Sequence, residues 1–136
     1  MGNQYLRGMR AMIVVLLLAV LAGCISENKH RIIAGELTVY FLDKKDEKKS
    51  EWLANYWKEN ELMTGRKQDI QLSHDDRNRY VVSLVAKHPE DAKNMPVQER
   101  FILSRLRADI QNEGFPDDIV ILAVCDANFE PITIID

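Results

Sequence analysis

The run Ile119-Val120-Ile121-Leu122-Ala123-Val124-Cys125 constrains the fold of this chain more than any other feature. Side chains along a strand alternate between faces, so Ile119, Ile121, Ala123 and Cys125 share one side and Val120, Leu122 and Val124 the other. A sheet with one open face shows polar residues on that face. This run shows none, which predicts a central strand covered on both sides. The cover on the side away from the helices has two readings: a loop folded over it locally, or a partner protein seated on it. In the second reading Tyr40, Val81 and Val85 join the apolar patch as a partner surface.

The neighbouring segments supply the other elements. Glu36 to Leu42 alternates and is rich in β-branched and aromatic residues, the pattern of a strand. A mixed-charge block from Asp43 to Ser50 leads into a helix through Met63, stopped by Gly65. Trp52, Leu53, Tyr56, Trp57 and Met63 recur at spacings of three and four and form one apolar face. Residues 68–73 and 79–87 read as a hairpin turning at His74-Asp75-Asp76-Arg77-Asn78 and ended by His88-Pro89. A polar loop runs to Asn94. Pro96 opens a second helix, whose apolar side carries Phe101, Ile102, Leu103, Leu106 and Ile110, with Val97 at its start. Gly114 terminates it. After the central strand, Asp126-Ala127-Asn128 turns the chain into a last strand, Phe129 to Ile135, where Pro131 marks an edge position.

This order predicts an α+β domain: a ferredoxin-like β-α-β-β-α-β arrangement with an additional C-terminal strand, and two helices on one face of an antiparallel-rich sheet.

The first two dozen residues follow different rules. Arg7 and Arg10 precede an unbroken apolar run, Ala11 to Ala22, closed by Gly23 and Cys24. A basic start, a short apolar core and small residues at the end form a secretory signal. The run is well short of the roughly 20 residues that a bilayer-spanning helix needs. Leu21-Ala22-Gly23-Cys24 resembles the lipobox of bacterial lipoproteins. The resemblance implies diacylglyceryl transfer to the Cys24 thiol, cleavage between Gly23 and Cys24, and acylation of the new amino group. A single acyl chain gives only marginal membrane binding, so the added chains are what make the anchor stable. Ile25 and Ser26 follow the cysteine where an aspartate, in Gram-negative families, retains the protein at the inner membrane. Its absence points to the outer membrane, facing the periplasm.

The domains then divide into a cleaved leader at 1–23, a lipidated cysteine and flexible tether at 24–35, and a single domain at 36–136. The tether is polar, with Ile32 and Ile33 as the first candidates for ordered structure. The net charge of the whole chain is −3. Loss of Arg7 and Arg10 with the leader leaves the mature chain more acidic, which excludes an electrostatic footprint for nucleic acid. Charge adds nothing to its hold on an anionic membrane, so the lipid alone anchors it. With Cys24 lipidated, Cys125 has no partner within the chain, and packing rather than disulfides stabilises the domain. Cys125 itself reads as a small buried apolar residue.

Residues with chemistry are sparse. His74-Asp75-Asp76 carries donor types, yet adjacent residues in a turn do not converge on one point, so neither a metal nor any cofactor beyond the covalent lipid is expected. No catalytic residue is assigned. No serine lies in a Gly-x-Ser-x-Gly setting, and no glycine loop suits a phosphate. Glu90-Asp91 and Asp117-Asp118 read as solvated loop acids. The expected function is a non-enzymatic protein-interaction or assembly module of the envelope. The alternatives are an inhibitor or immunity lipoprotein using an acidic loop, and a small hydrolase or ligand-binding domain using His74 or the Trp52-Tyr56-Trp57 helix. The layout of lipidated Cys24, strand, helix, hairpin, helix and Gly114-Phe115-Pro116 is also similar to the ring-building lipoproteins of type III secretion, which carry a long second domain that these residues do not include.

Overall fold

Residues 30–136 are described by a computed structural model; the leader, its cleavage point and Cys24 lie outside them. Six strands form one sheet: β1 (His30–Ala34), β2 (Leu37–Phe41), β3 (Gln68–His74), β4 (Tyr80–Val85), β5 (Val120–Cys125) and β6 (Pro131–Ile135). A 3-10 turn (Lys44–Asp46) runs into helix α1 (Glu47–Glu59), and α2 (Pro89–Ala92) and α3 (Val97–Gly114) separate β4 from β5. The class is α+β.

Strand order in the sheet is the order in the chain, β1-β2-β3-β4-β5-β6. Three antiparallel hairpins, β1–β2, β3–β4 and β5–β6, are joined by two parallel helical crossovers, β2-α1-β3 and β4-α3-β5. This departs from the ferredoxin-like expectation. A split βαβ unit leaves room for another strand between the two strands of each crossover. Here Leu37 pairs directly with Gln68, and Tyr80 with Val120. Periodicity specifies which face a residue takes, not which strand lies beside it.

Both long helices cover one face. Leu53, Tyr56 and Trp57 of α1 and Ile110 of α3 share a core with Leu37, Val39, Phe41, Ile70, Leu72, Tyr80, Val82, Val120 and Leu122. The helices meet tightly where α3 ends. A Cβ on Gly114 would stand 2.4 Å from the Trp52 ring, so glycine is required there for close approach. Trp52 stacks on Tyr56 and meets Phe115 edge-on, at centroid distances of 5.0 and 5.9 Å.

The tether expected over 24–35 ends earlier, because residues 30–34 are β1. His30 stacks on Phe41 at 5.2 Å, and Ile32 pairs with Val39 and packs on the core. Gly35, at φ 61°, supplies the left-handed backbone for the tight turn into β2. Exposed Arg31 and Ile33 alternate with inward His30, Ile32 and Ala34, so neither side of the strand is uniformly apolar in sequence. The loop expected up to Asn94 contains α2, whose Ala92 carbonyl accepts a 2.6 Å bond from the Thr133 hydroxyl.

The predicted apolar side of α3 is only half used. Ile110 is buried, and Leu103 and Leu106 are partly buried against the core. Val97, Phe101 and Ile102 are 82%, 63% and 64% exposed.

Every residue of β5 is buried, as its two-sided apolar pattern requires, but Ile119, expected to open the run, lies before the strand and is exposed. On the face away from the helices, Tyr40, Gln71, Ser83 and Ala123 lie in one row across β2 to β5. The loop after β5 bends over this face. Its Phe129 ring meets Tyr40 edge-on at 5.9 Å, although β2 and β5 stand three strands apart, about 14 Å. The loop thus reaches across the face on which Ile121, Ala123 and Cys125 are buried.

Two hairpin loops share one design. Asp75 and Asp126 each donate a backbone N–H to the carbonyl four residues on, and each accepts backbone N–H groups at Oδ1 from residues two and four on. The fourth loop residue takes positive φ in both, Asn78 at 60° and Phe129 at 59°.

Candidate functional site

The densest polar cluster lies where α1 begins. Asp43 accepts the Lys45 backbone N–H and starts the 3-10 turn, which delivers Asp46 into the protein at 1% exposure. The two oxygens of the Asp46 carboxylate are both used. His74 Nε2 lies 2.8 Å from Oδ2, and the Tyr80 hydroxyl donates to Oδ1 at 2.9 Å. The Ser50 hydroxyl donates to the Asp46 carbonyl at 2.9 Å. Beside them Lys49 bonds Asp118 at 2.8 Å and stands 4.8 and 4.7 Å from the Tyr80 and Phe115 ring centres. Burial pushes the Tyr80 phenol well above its usual range, and the bond to Asp46 and nearby carboxylates push it further. Tyr80 thus stays a neutral donor. His74 Nδ1 is buried without a hydrogen-bond partner. Chemically, the cluster ties the start of α1 to the β3–β4 hairpin and to the loop before β5.

The three adjacent turn residues His74, Asp75 and Asp76 take separate places. His74 joins this cluster, Asp75 organises the hairpin loop and bonds Arg79 Nε at 2.7 Å, and Asp76 is exposed. Among the described residues no three His, Cys, Asp or Glu side chains are grouped as metal ligands. Of the loop acids, Glu90, Asp91 and Asp117 are exposed, while Asp118 is held by Lys49. Cys125 is fully buried, and burial pushes its thiol up.

The opposite end of the helix pair is open. A cleft of about 500 Å³ is lined by Trp57, Ile70 and Leu84, with Thr64, Arg66, Lys67, Gln68 and Lys87 around it. A second cleft of about 360 Å³ shares Leu84 to Lys87 with the first and continues past His88, Met95 and Leu103. The two form a groove around the end of β4.

Tyr40, Val81 and Val85 do share one sheet face, and each is half-buried. The Phe129 loop packs on the first of them. The Asp46–His74–Tyr80 network was invisible in the sequence because Asp46 sits in a block whose charges nearly cancel, and its partners are 28 and 34 residues away. The groove left no local signal either, since its walls come from segments far apart in the chain: Trp57, residues 64–70, the end of β4 and, further along, Met95 and Leu103.

Comparison with known proteins finds no matching family model, no matching curated relative and no matching solved structure. No helix among the described residues is long and apolar enough to cross a membrane.

Proposed function

We propose that this chain is a lipid-anchored envelope protein, held through Cys24 at the outer membrane facing the periplasm, whose domain works by binding a partner protein rather than by catalysis. The observation that supports the binding reading is the uncovered start of α3. Val97, Phe101 and Ile102 present apolar side chains on adjacent turns, and none packs into the core. Large exposed apolar side chains in contact mark interaction surfaces more often than isolated ones do. The clustered groups capable of acid–base chemistry, Asp46, His74 and Tyr80, are instead tied together through the Asp46 carboxylate.

The test is affinity purification of the native protein from envelope membranes beside a Phe101→Asp, Ile102→Asp variant. Both residues are exposed, so the variant keeps the fold. The expected result is one reproducible protein partner recovered with the parent and lost with the variant. A partner set identical for both would sink the reading. An inhibitor role finds its support in Glu90 and Asp91, which are exposed at the start of α2. It predicts that charge reversal there, and not at Phe101 and Ile102, abolishes binding.

A further inference from the structure

We propose that the open end of the helix pair is a binding site for a small acidic amphiphile, an acyl chain carrying a carboxylate or phosphate head. Three observations converge on the cleft beside the end of β4. Its floor is apolar, made by Ile70 and Leu84 of the sheet with the Trp57 ring beside them. Trp57 is 5% exposed, and its indole N–H is buried with no acceptor. A buried donor without a partner costs free energy, so this indole gains from an acceptor brought to its side of the cleft. Around the opening stand Arg66, Lys67 and Lys87, and among the described residues none makes an ion pair, although the protein as a whole is acidic.

An apolar floor, one buried donor and three free cations complement an apolar body with an anionic end. The volume, about 500 Å³, lies within the range of about 300–1,000 Å³ usual for small-molecule sites. Asp69 borders the cleft and also has a buried, unpartnered oxygen. Strand alternation turns its side chain to the face of Thr38 and away from that of Ile70, so it does not oppose an anion at Trp57. The groove continues along Leu84 toward Leu103, which gives a chain room to extend. This site is separate from the exposed start of α3 and stands whether or not that surface binds a protein.

The test reads the Trp57 indole N–H by nitrogen-15 correlation NMR on the full chain in lipid nanodiscs, with Trp57→Phe assigning the signal. Octanoate, octyl phosphate, octanol and octyltrimethylammonium are titrated in turn; all four carry the same eight-carbon chain, and affinities are referred to the free probe concentration, so the head group is what distinguishes them. The expected result is a saturable downfield movement of the Trp57 signal with octanoate or octyl phosphate, with Trp52 unmoved. The neutral and cationic chains leave it in place. Lys67→Gln with Lys87→Gln, both exposed positions, weakens the apparent affinity by roughly tenfold. Preference between the two acidic probes identifies the head group, and either preference supports the site. A Trp57 signal that does not move, that moves equally with all four probes, or that is indifferent to the lysine variant overturns the proposal.

Discussion

Phe129 sits in a backbone conformation that a bulky side chain rarely adopts. Its counterpart Asn78 shows what the same loop design ordinarily selects, since asparagine tolerates positive φ. Holding a non-glycine residue there costs of order 1–3 kcal/mol. The cost is offset by what the ring covers. It lies against Tyr40, on the face where Ser83, Ala123 and Cys125 are buried. Phe129→Gly relieves the backbone and removes the cover, so the net change in stability should stay within about 1 kcal/mol. The diagnostic is Cys125. In the parent its thiol reacts slowly with a thiol reagent until the protein unfolds, because it is buried and its pKa is raised. In Phe129→Gly the native-state reaction should quicken severalfold, and an unchanged rate would show that the ring is not the cover. Gly114 makes the opposite kind of prediction. Gly114→Ala drives a methyl into the Trp52 ring and should cost about 1–3 kcal/mol by chemical denaturation. A neutral outcome would mean that the helices do not meet as closely as described.

At the scale of elements, the sequence was legible wherever the signal was local. The alternation at Leu37–Phe41, the end of α3 at Gly114 and Pro131 on an edge strand were readable, because face and propensity are local properties; α1 instead ends at Glu59, short of the Met63 and Gly65 expected to close it. Strand adjacency was not, since Leu37↔Gln68 and Tyr80↔Val120 rest on contacts distant in sequence. Strand β1 escaped because its inward residues, His30, Ile32 and Ala34, do not look like a core strand until Phe41 and Val39 are placed against them. The β3–β4 hairpin carries a pH prediction. Burial pushes the Asp75 carboxyl up, but hydrogen bonds and charge from Arg79, with a further bond from Arg77, outweigh it and hold the group below the usual carboxylate range. A carboxyl lowered on folding stabilises the fold above its unfolded pKa, near 3.9, and loses that contribution as pH falls through the folded value. Asp75→Asn should therefore lower the denaturation midpoint relative to the parent at pH 7, with the difference shrinking steadily below about pH 4. A difference independent of pH would assign the loop's stability to something other than the carboxylate.

Residues 30–136 form a sheet built from three hairpins, closed on one face by two helices that meet tightly at Gly114, with a groove around the end of β4. The closed end holds the buried polar cluster, and the open end holds the groove. Neither was visible in the sequence, which localises residues along elements but not the gaps between elements. The exposed α3 residues were visible only as apolar, and their exposure became evident once the other side of the helix had filled the core. The function proposed for this assembly rests on the N-terminal anchor. The most direct test is the intact mass of the protein purified from host membranes. The account predicts a chain beginning at Cys24, without residues 1–23, heavier than residues 24–136 by a diacylglycerol group and an added acyl chain. A chain that retains Met1, or one that begins at residue 24 with an unmodified thiol, would contradict it.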